Sequence, residues 1–598
     1  VLNTGALTLA ATNAFSNLTI NSLGLLAQSM QAGQSVQIVA DGPISFTTLN
    51  AGADASVSAN GAIDGTSVTT AGPLSVDGSL GISVPTIHSG SAVTLDAFNG
   101  NILVATDLAA LGPVRAFGLD VNLTALGALT LTSADARTGN LLVQSGGALT
   151  VLDASAAIGD VTLMGADIIV SRDVTAGRNL VATTPGALTI DSLATLIGTT
   201  ITLNSSDIVI DTSSEPGQIG RFSVTHSVTL NNNGNRQTYI GGNGGTGTYG
   251  LSNAEAQLIF GDNITITAPR LTQSTAGQSS AALNTRAPDV ILDTLTLSAA
   301  GATSGNFGAN GIYRINTPGK LRTIGAVTFN NLGTGNRFEI NAAEAIEIDA
   351  ATGVISLRNP TNGLGGTLVL TSQDVIAATL PAITDVIGAA TLKAVSDRLA
   401  KNDGAVLDQG YLRADSIVVT ISNGFYVQNS GAATLNPRDF DPRRGLTVGA
   451  GGLSINTGTN SAARIAINGQ QMGASATATT GIDFLKLVSI NGGSVGKGSL
   501  GTGLFDFAST INGCQILSIA SCQVSFDNGN IARDVIGDIE AGGYSNPLSV
   551  SLIEIKDVEK NVNEPIIDDP VTGAGNDDLW AVDDEKDCDP AAAVCEKP

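Results

Sequence analysis

Gly127-Ala128-Leu129-Thr130-Leu131 returns as Gly147-Ala148-Leu149-Thr150-Val151, and again as Gly186-Ala187-Leu188-Thr189-Ile190. The first interval is about 20 residues, and the second is close to two more such periods. An earlier copy is Gly5-Ala6-Leu7-Thr8-Leu9; looser ones are Gly72-Pro73-Leu74-Ser75-Val76 and Gly452-Leu453-Ser454-Ile455. Asn140-Leu141-Leu142-Val143 and Asn179-Leu180-Val181 keep the same two-period spacing. In each copy glycine turns the chain and two aliphatics two residues apart share a face. The Thr between them takes the other face, because side chains in a strand alternate. A period near 20 without helical periodicity predicts a solenoid of short parallel strands.

Related segments run from residue 1 to about 235, among them Ser35-Val36-Gln37-Ile38-Val39, Ala92-Val93-Thr94-Leu95, Asp160-Val161-Thr162-Leu163 and Asp207-Ile208-Val209-Ile210. At about 20 residues per coil and about 4.8 Å between coils, they predict roughly 12 coils and a rod of roughly 55 Å. Extension to residue 370 predicts about 90 Å on the same arithmetic.

Composition agrees with an all-β solenoid. The chain has 598 residues, too many for one compact core, whereas stacked coils contact only their neighbours. Glycine is abundant (72), aromatics make up 4% and charged residues 13%. A hydrophobic share of 42% with local alternation argues against disorder. The net charge of −24 argues against nucleic acid or an anionic membrane surface as partner. No apolar run is long enough for a membrane-spanning helix. The chain opens at Val1 without a basic-then-apolar leader, which suggests a processed product or a C-terminal piece.

Five regions are expected: coils over 1–235, a continuation over 236–373, a helical insertion over 374–402, further strands over 403–556 and an acidic tail over 557–598. The polar stretch from Asn231 to Gly250 reads as a long loop, with contact to a ligand as the sharper alternative; Tyr239, Asn243 and Tyr249 are the candidates there. Ser252 is placed to cap one helical turn. In the insertion, Ile383, Val386, Ile387, Leu392, Val395 and Leu399 follow three- and four-residue steps. Arg438, Arg443 and Arg444, among Asp439 and Asp441, read as a solvated ion-pair loop or as a contact for an anionic sugar.

The four cysteines form two close pairs, Cys514 with Cys522 and Cys588 with Cys595. Zinc would want shorter spacings and His partners, so two local disulfides in an oxidising compartment fit better. No catalytic set, metal site or cofactor is predicted. Thr572-Gly573-Ala574-Gly575-Asn576-Asp577-Asp578-Leu579 resembles a single calcium nonapeptide, but one copy cannot build the usual roll. Asp153, Asp167, Asp173, Asp191, Asp207 and Asp211 are scattered turn residues, and His88 and His226 are several coils apart. The sequons at Asn17, Asn122 and Asn263 are expected by chance in so Asn- and Thr-rich a chain.

Three further stretches resemble the filamentous haemagglutinin family of bacterial exoproteins, which are secreted by the two-partner route. Gly250-Leu251-Ser252-Asn253-Ala254-Glu255 followed by Asn263-Ile264-Thr265-Ile266 is similar to a junction in such adhesins. Ser509-Thr510-Ile511-Asn512-Gly513-Cys514 and the segment from Asp569 to Trp580 are similar to C-terminal portions of large members. The resemblance implies a right-handed parallel β-helix, export through an outer-membrane barrel, and display on a Gram-negative cell surface in adhesion or biofilm. The secretion domain that such proteins carry at the N-terminus is not visible in this chain.

Some members end in a disulfide loop that stays in the barrel as a tether, a role the resemblance implies for Cys588 and Cys595; a simple staple is the alternative. Expected partners are the barrel and surface sugars or proteins of other cells, or copies of the chain itself. The runner-up function is a subunit of a self-assembling filament or sheath, and a lesser one is a polysaccharide-degrading enzyme.

Overall fold

In a computed structural model the described residues are 5–221, 224–271, 287–300, 305–348, 353–361, 364–372 and 375–378, followed by the strands 412–421, 425–429, 446–456, 464–468, 482–484, 487–491 and 494–495. They form a parallel β-helix of three sheets. One ladder carries it. Leu7 pairs with Leu25, and the same position passes through Ile44, Ile63, Ile82, Ile102, Val121, Leu141, Val161, Leu180, Ile201 and Val228. It continues through Ile264, Tyr313, Phe338, Leu368, Ile417, Leu453 and Leu487.

Up to Ile201 the steps stay close to the period that the repeat predicts: 18 residues separate Ser35 from its partner Asn17 one coil below, and 21 residues separate Asn204 from Thr183. The motif copies Leu129, Leu149 and Leu188 fall in one register, with Ile168 between the last two. Twelve positions lead to Val228, or about 50 Å of rod, in agreement with expectation. Beyond it the coils widen: Val228 to Ile264 takes 36 residues and Ile264 to Tyr313 takes 49. A larger coil still adds one strand spacing, so the rod reaches about 70 Å at Leu368 rather than about 90 Å.

Alternation packs the interior. In Leu141–Ser145 the residues Leu141, Val143 and Ser145 are buried while Leu142 and Gln144 face outward. Each buried Leu, Ile or Val contributes about 1.5–3 kcal/mol. In Leu149–Ala156, Leu149 to Val151 pair onward with Ile168–Val170, and Ala154 to Ala156 with Val174–Ala176. The strand therefore covers two faces of the coil, and small Ala residues line the second.

One corner is held by a file of Asn and Asp. The side-chain oxygen of Asn101 accepts the Asp120 N–H (3.1 Å), Asp120 that of Asn140 (2.7 Å), Asn140 that of Asp160 (2.9 Å) and Asp160 that of Asn179 (3.0 Å). Backbones pack so closely there that a Cβ on Gly159 would lie 1.8 Å from the Gly139 carbonyl oxygen. Asn17 and Asn263 of the sequons do the same work, accepting the N–H groups of Ser35 (3.2 Å) and Ile312 (3.0 Å).

The wider coils are filled with rings. Phe307, Tyr313, Phe329 and Phe338 pack with centroids 4.5 to 6.4 Å apart. The helical turn expected after Ser252 is Asn253–Ala256, and it carries a full capping box with Glu255. The glutamate also accepts the Ile210 N–H at 2.9 Å, tying the turn to the preceding coil.

The helical insertion needs correction at its start. Val375–Ala378 is a strand, parallel to Ala345–Ile348 and to Phe425–Asn429. A short apolar run has no period of its own, and the register of the neighbouring strand decides its state. Ile383 through Leu399 lie outside the described residues, as does the acidic tail.

Candidate functional site

The regular coil is interrupted at two neighbouring places, a glycine-rich junction and a band of charged side chains just beyond it. In the junction Thr238–Ile240 pairs directly and in parallel with Tyr249–Leu251. The chain must therefore return to the start of the same strand direction within Gly241 to Thr248. Left-handed backbone makes this possible: Gly241, Gly242, Gly244, Gly245 and Gly247 have φ of +92°, +51°, +80°, +66° and +71°.

The loop is pinned. Gly241 donates to the Leu251 carbonyl and Gly242 to that of Thr294, both at 2.7 Å. Asn253 donates to the Gly242 carbonyl at 3.1 Å, and the Thr248 hydroxyl to that of Gly244 at 3.0 Å. Tyr239, half-buried, donates to the Asp293 carboxylate at 2.5 Å; burial first, and then this bond, push its phenol up to about 12.

Of the three loop residues expected to contact a ligand, Asn243 is exposed and Tyr239 is partly exposed but engaged by Asp293. Tyr249 is wholly buried, which overturns its place among the contact residues. Alternation explains the error: in Tyr249–Leu251 the glycine faces outward and both large side chains face inward. Arg438, Arg443, Arg444, Cys514, Cys522, Cys588 and Cys595 lie outside the described residues.

The charged band runs, among the described residues, from Arg270 to Glu347. Arg314 and Glu339 stand opposite each other in register and bond at 2.6 Å, with Arg337 reaching the same carboxylate at 3.0 Å. Lys320 and Glu347 form a buried pair at 2.6 Å, and Arg270 pairs with Glu344. Asp289, 1% exposed, accepts the backbone N–H groups of Leu271 (2.9 Å) and Lys320 (2.7 Å). The sequence reading missed this band. Its signal was Glu339 and Glu347 in the outward slots of Phe338-Glu339-Ile340 and Ile346-Glu347-Ile348, with Arg314, Lys320 and Arg322 in the strands before them.

The scattered aspartates do not converge. Asp153 faces Arg172 at 3.8 Å, and Asp167 accepts the Ala187 N–H at 2.9 Å. Asp191 accepts the Ser171 hydroxyl at 2.7 Å, Asp207 the Gly250 N–H at 3.2 Å and Asp211 the Ser213 N–H at 2.6 Å. The two histidines pair with separate carboxylates, His88 with Asp107 at 3.0 Å and His226 with Asp262 at 2.5 Å. Among the described residues no group of three His, Cys, Asp or Glu could hold a metal ion, and no helix is long and apolar enough to cross a membrane. No protein-family model, no curated protein and no solved structure matches the chain.

Proposed function

We propose that the chain is a non-enzymatic fibre of a Gram-negative cell surface, secreted by the two-partner route through an outer-membrane barrel and acting in adhesion or biofilm formation. The observation that carries this reading is the unbroken ladder from Leu7 to Leu487, which spends the chain on length. The paired carboxylates support it too, since a glycan-cleaving site needs free carboxylates facing one groove. Sugars or proteins of other cells are the expected receptors. Their recognition belongs to the places that break the repeat: the tip at Asn243 and the arginines Arg438, Arg443 and Arg444. Cys588 and Cys595 close the loop that tethers the fibre to its barrel.

The test is expression of the protein with its barrel partner in a Gram-negative host that does not adhere by itself. The expected result is surface labelling, adherence to cells or abiotic surfaces, and release of the fibre into the medium on Cys588→Ser/Cys595→Ser substitution. Unchanged retention in that variant would remove the tether. Ordered polymers in place of single fibres would favour a self-assembling filament subunit. A purified chain that shortens polysaccharides would overturn the reading.

A further inference from the structure

The outward side of the main ladder is unevenly charged. From the rung of Val121 to that of Ile264 the strands present two outward columns. One runs from Asn122 to Thr265, and the other, two residues further along each strand, from Thr124 to Thr267. Both columns hold only Thr, Asn, Gln, Leu, Val and Met, and none of these side chains is buried. Farther along, Arg314 and Glu339 enter the first column, while the second stays uncharged through Asn316, Asn341, Thr371 and Thr420. The adjoining sheet of the same coils differs: Asp135 and Asp153 take outward slots in Leu129–Ala136 and Leu149–Ala156.

The strip is also held in order. Asn231 Nδ2 donates to Asn204 Oδ1 at 2.8 Å, and Asn204 Nδ2 donates to the Thr183 hydroxyl at 3.0 Å. An Asn amide has two N–H donors and two lone pairs, so Asn204 keeps one of each for a partner. Leu142, Val181 and Met164 add apolar surface among the hydroxyls, with Met164 37% exposed.

Three properties select that partner. The first is charge. The chain carries −24, so two copies repel over most of their surface, and this strip lets them meet without setting like charges face to face. The second is repeat. A second copy has the same step of about 4.8 Å between rungs, whereas a ligand whose repeat differs by about a tenth slips more than half a rung over the length of the strip. The third is area. A strip of roughly 29 Å by 14 Å buries about 400 Å² on each copy, about 800 Å² in all, which is below the roughly 1,200 Å² where stable interfaces begin. A single pair is therefore held weakly, and many fibres on two facing cells add their contacts.

We propose that this strip is the contact through which two copies of the chain pair side by side, strip against strip. The pairing is isologous and closes at two, so it does not propagate into a filament. Its setting on facing cells rests on the surface-fibre reading; the contact itself does not.

The test uses the purified full chain in sedimentation velocity over a range of protein and salt concentrations. Thr162→Asp/Thr202→Asp and Thr162→Lys/Thr202→Lys place charges on either side of Val181 in the strip. Thr150→Asp/Thr189→Asp places them on either side of Ile169 in the adjoining sheet, as the control. Wild type is expected to pass from monomer to dimer as concentration rises, and more readily at high salt, because screening relieves repulsion between the acidic bodies. The Asp strip variant should pair about 10-fold more weakly or worse, since each copy now meets its own charges. Mixing it with the Lys strip variant should restore pairing, a rescue that a misfolded chain would not show. The control should pair as wild type does. A wild type that stays monomeric throughout overturns the proposal. So does an Asp strip variant that pairs like wild type, a mixture that stays apart, or a control that loses pairing equally. None of these results touches display on the cell, which co-expression with the barrel measures separately.

Discussion

Lys320 and Glu347 are a severe test of how the charged band works. Their side chains are 7% and 6% exposed, and Nζ lies 2.6 Å from Oε1. In that setting each ion has given up most of its hydration, and the partner replaces it. Removal of one member by Lys320→Met or Glu347→Gln leaves the other charge with less compensation, which costs about 3–5 kcal/mol for a buried pair. Local opening of the strands Lys320–Thr323 and Ala345–Ile348 should then become about two to four orders of magnitude more frequent. The double variant should come back to within about 1 kcal/mol of wild type, because the pair itself contributes little once desolvation is counted. Amide exchange at Leu321, Arg322, Ile346 and Glu347 reads these values strand by strand. A whole-chain melting curve does not, since long repeat arrays need not unfold in one step. The reasoning fails if the double variant is as damaged as the two singles combined, or if neither single changes protection in these strands.

Three other expectations concern the corner, the junction and the tyrosines. Asn140→Ala removes the acceptor for the Asp160 N–H and should cost about 1 kcal/mol, seen as faster exchange of that amide. Gly247→Ala, at φ +71° with open space around it, should cost about 1 kcal/mol; Gly242→Ala should cost at least twice as much, because its Cβ would also meet the Asp293 carboxylate at 2.4 Å. Limited proteolysis of the Gly241 to Thr248 loop ranks the two, and equal rates would contradict the pinned-loop description. In alkali the sign follows from the raised phenols of Tyr239, Tyr249 and Tyr313: the folded chain keeps protons that the unfolded chain loses near pH 10, so their stabilisation is whole below that pH and falls as pH rises, for Tyr239 through about 12. Tyrosinate absorbance should therefore lag behind the ordinary titration and complete itself only as circular dichroism is lost.

Much of the fold was legible because its rule is local. Gly-Ala-Leu-Thr-aliphatic specifies a turn, two inward side chains and one outward, and the next coil repeats the instruction after about 20 residues. Over the region expected to hold roughly 12 coils at about 20 residues each, the ladder from Leu7 to Val228 agrees with that count. Beyond Ile201 the strands were still recognisable, but coil size was not, because insertions between strands leave alternation untouched. Val375–Ala378 was misread for a related reason: four apolar residues carry no period of their own. The candidate site was less legible. Tyr249 was marked by its glycines and its aromaticity, yet its direction depends on strand register, which composition does not reveal. The pair of Arg314 and Glu339 was missed because its members lie a whole coil apart in sequence, 25 residues. Lys320 and Glu347 are likewise one coil apart, and both pairs meet through coil widths that only the fold determines.

The ladder also decides how such a rod would answer a pull along its axis. Its hydrogen bonds between coils point along that axis, so a tensile load meets them one coil at a time and peels the end coil before it strains the next. Each peeled coil of about 20 residues gives up one spacing of about 4.8 Å and releases roughly 65 Å of extended chain. The wider coils beyond Val228 release more per event. Under load the rod is thus a reel, with short, even increments of line near Leu7 and long ones toward Leu487.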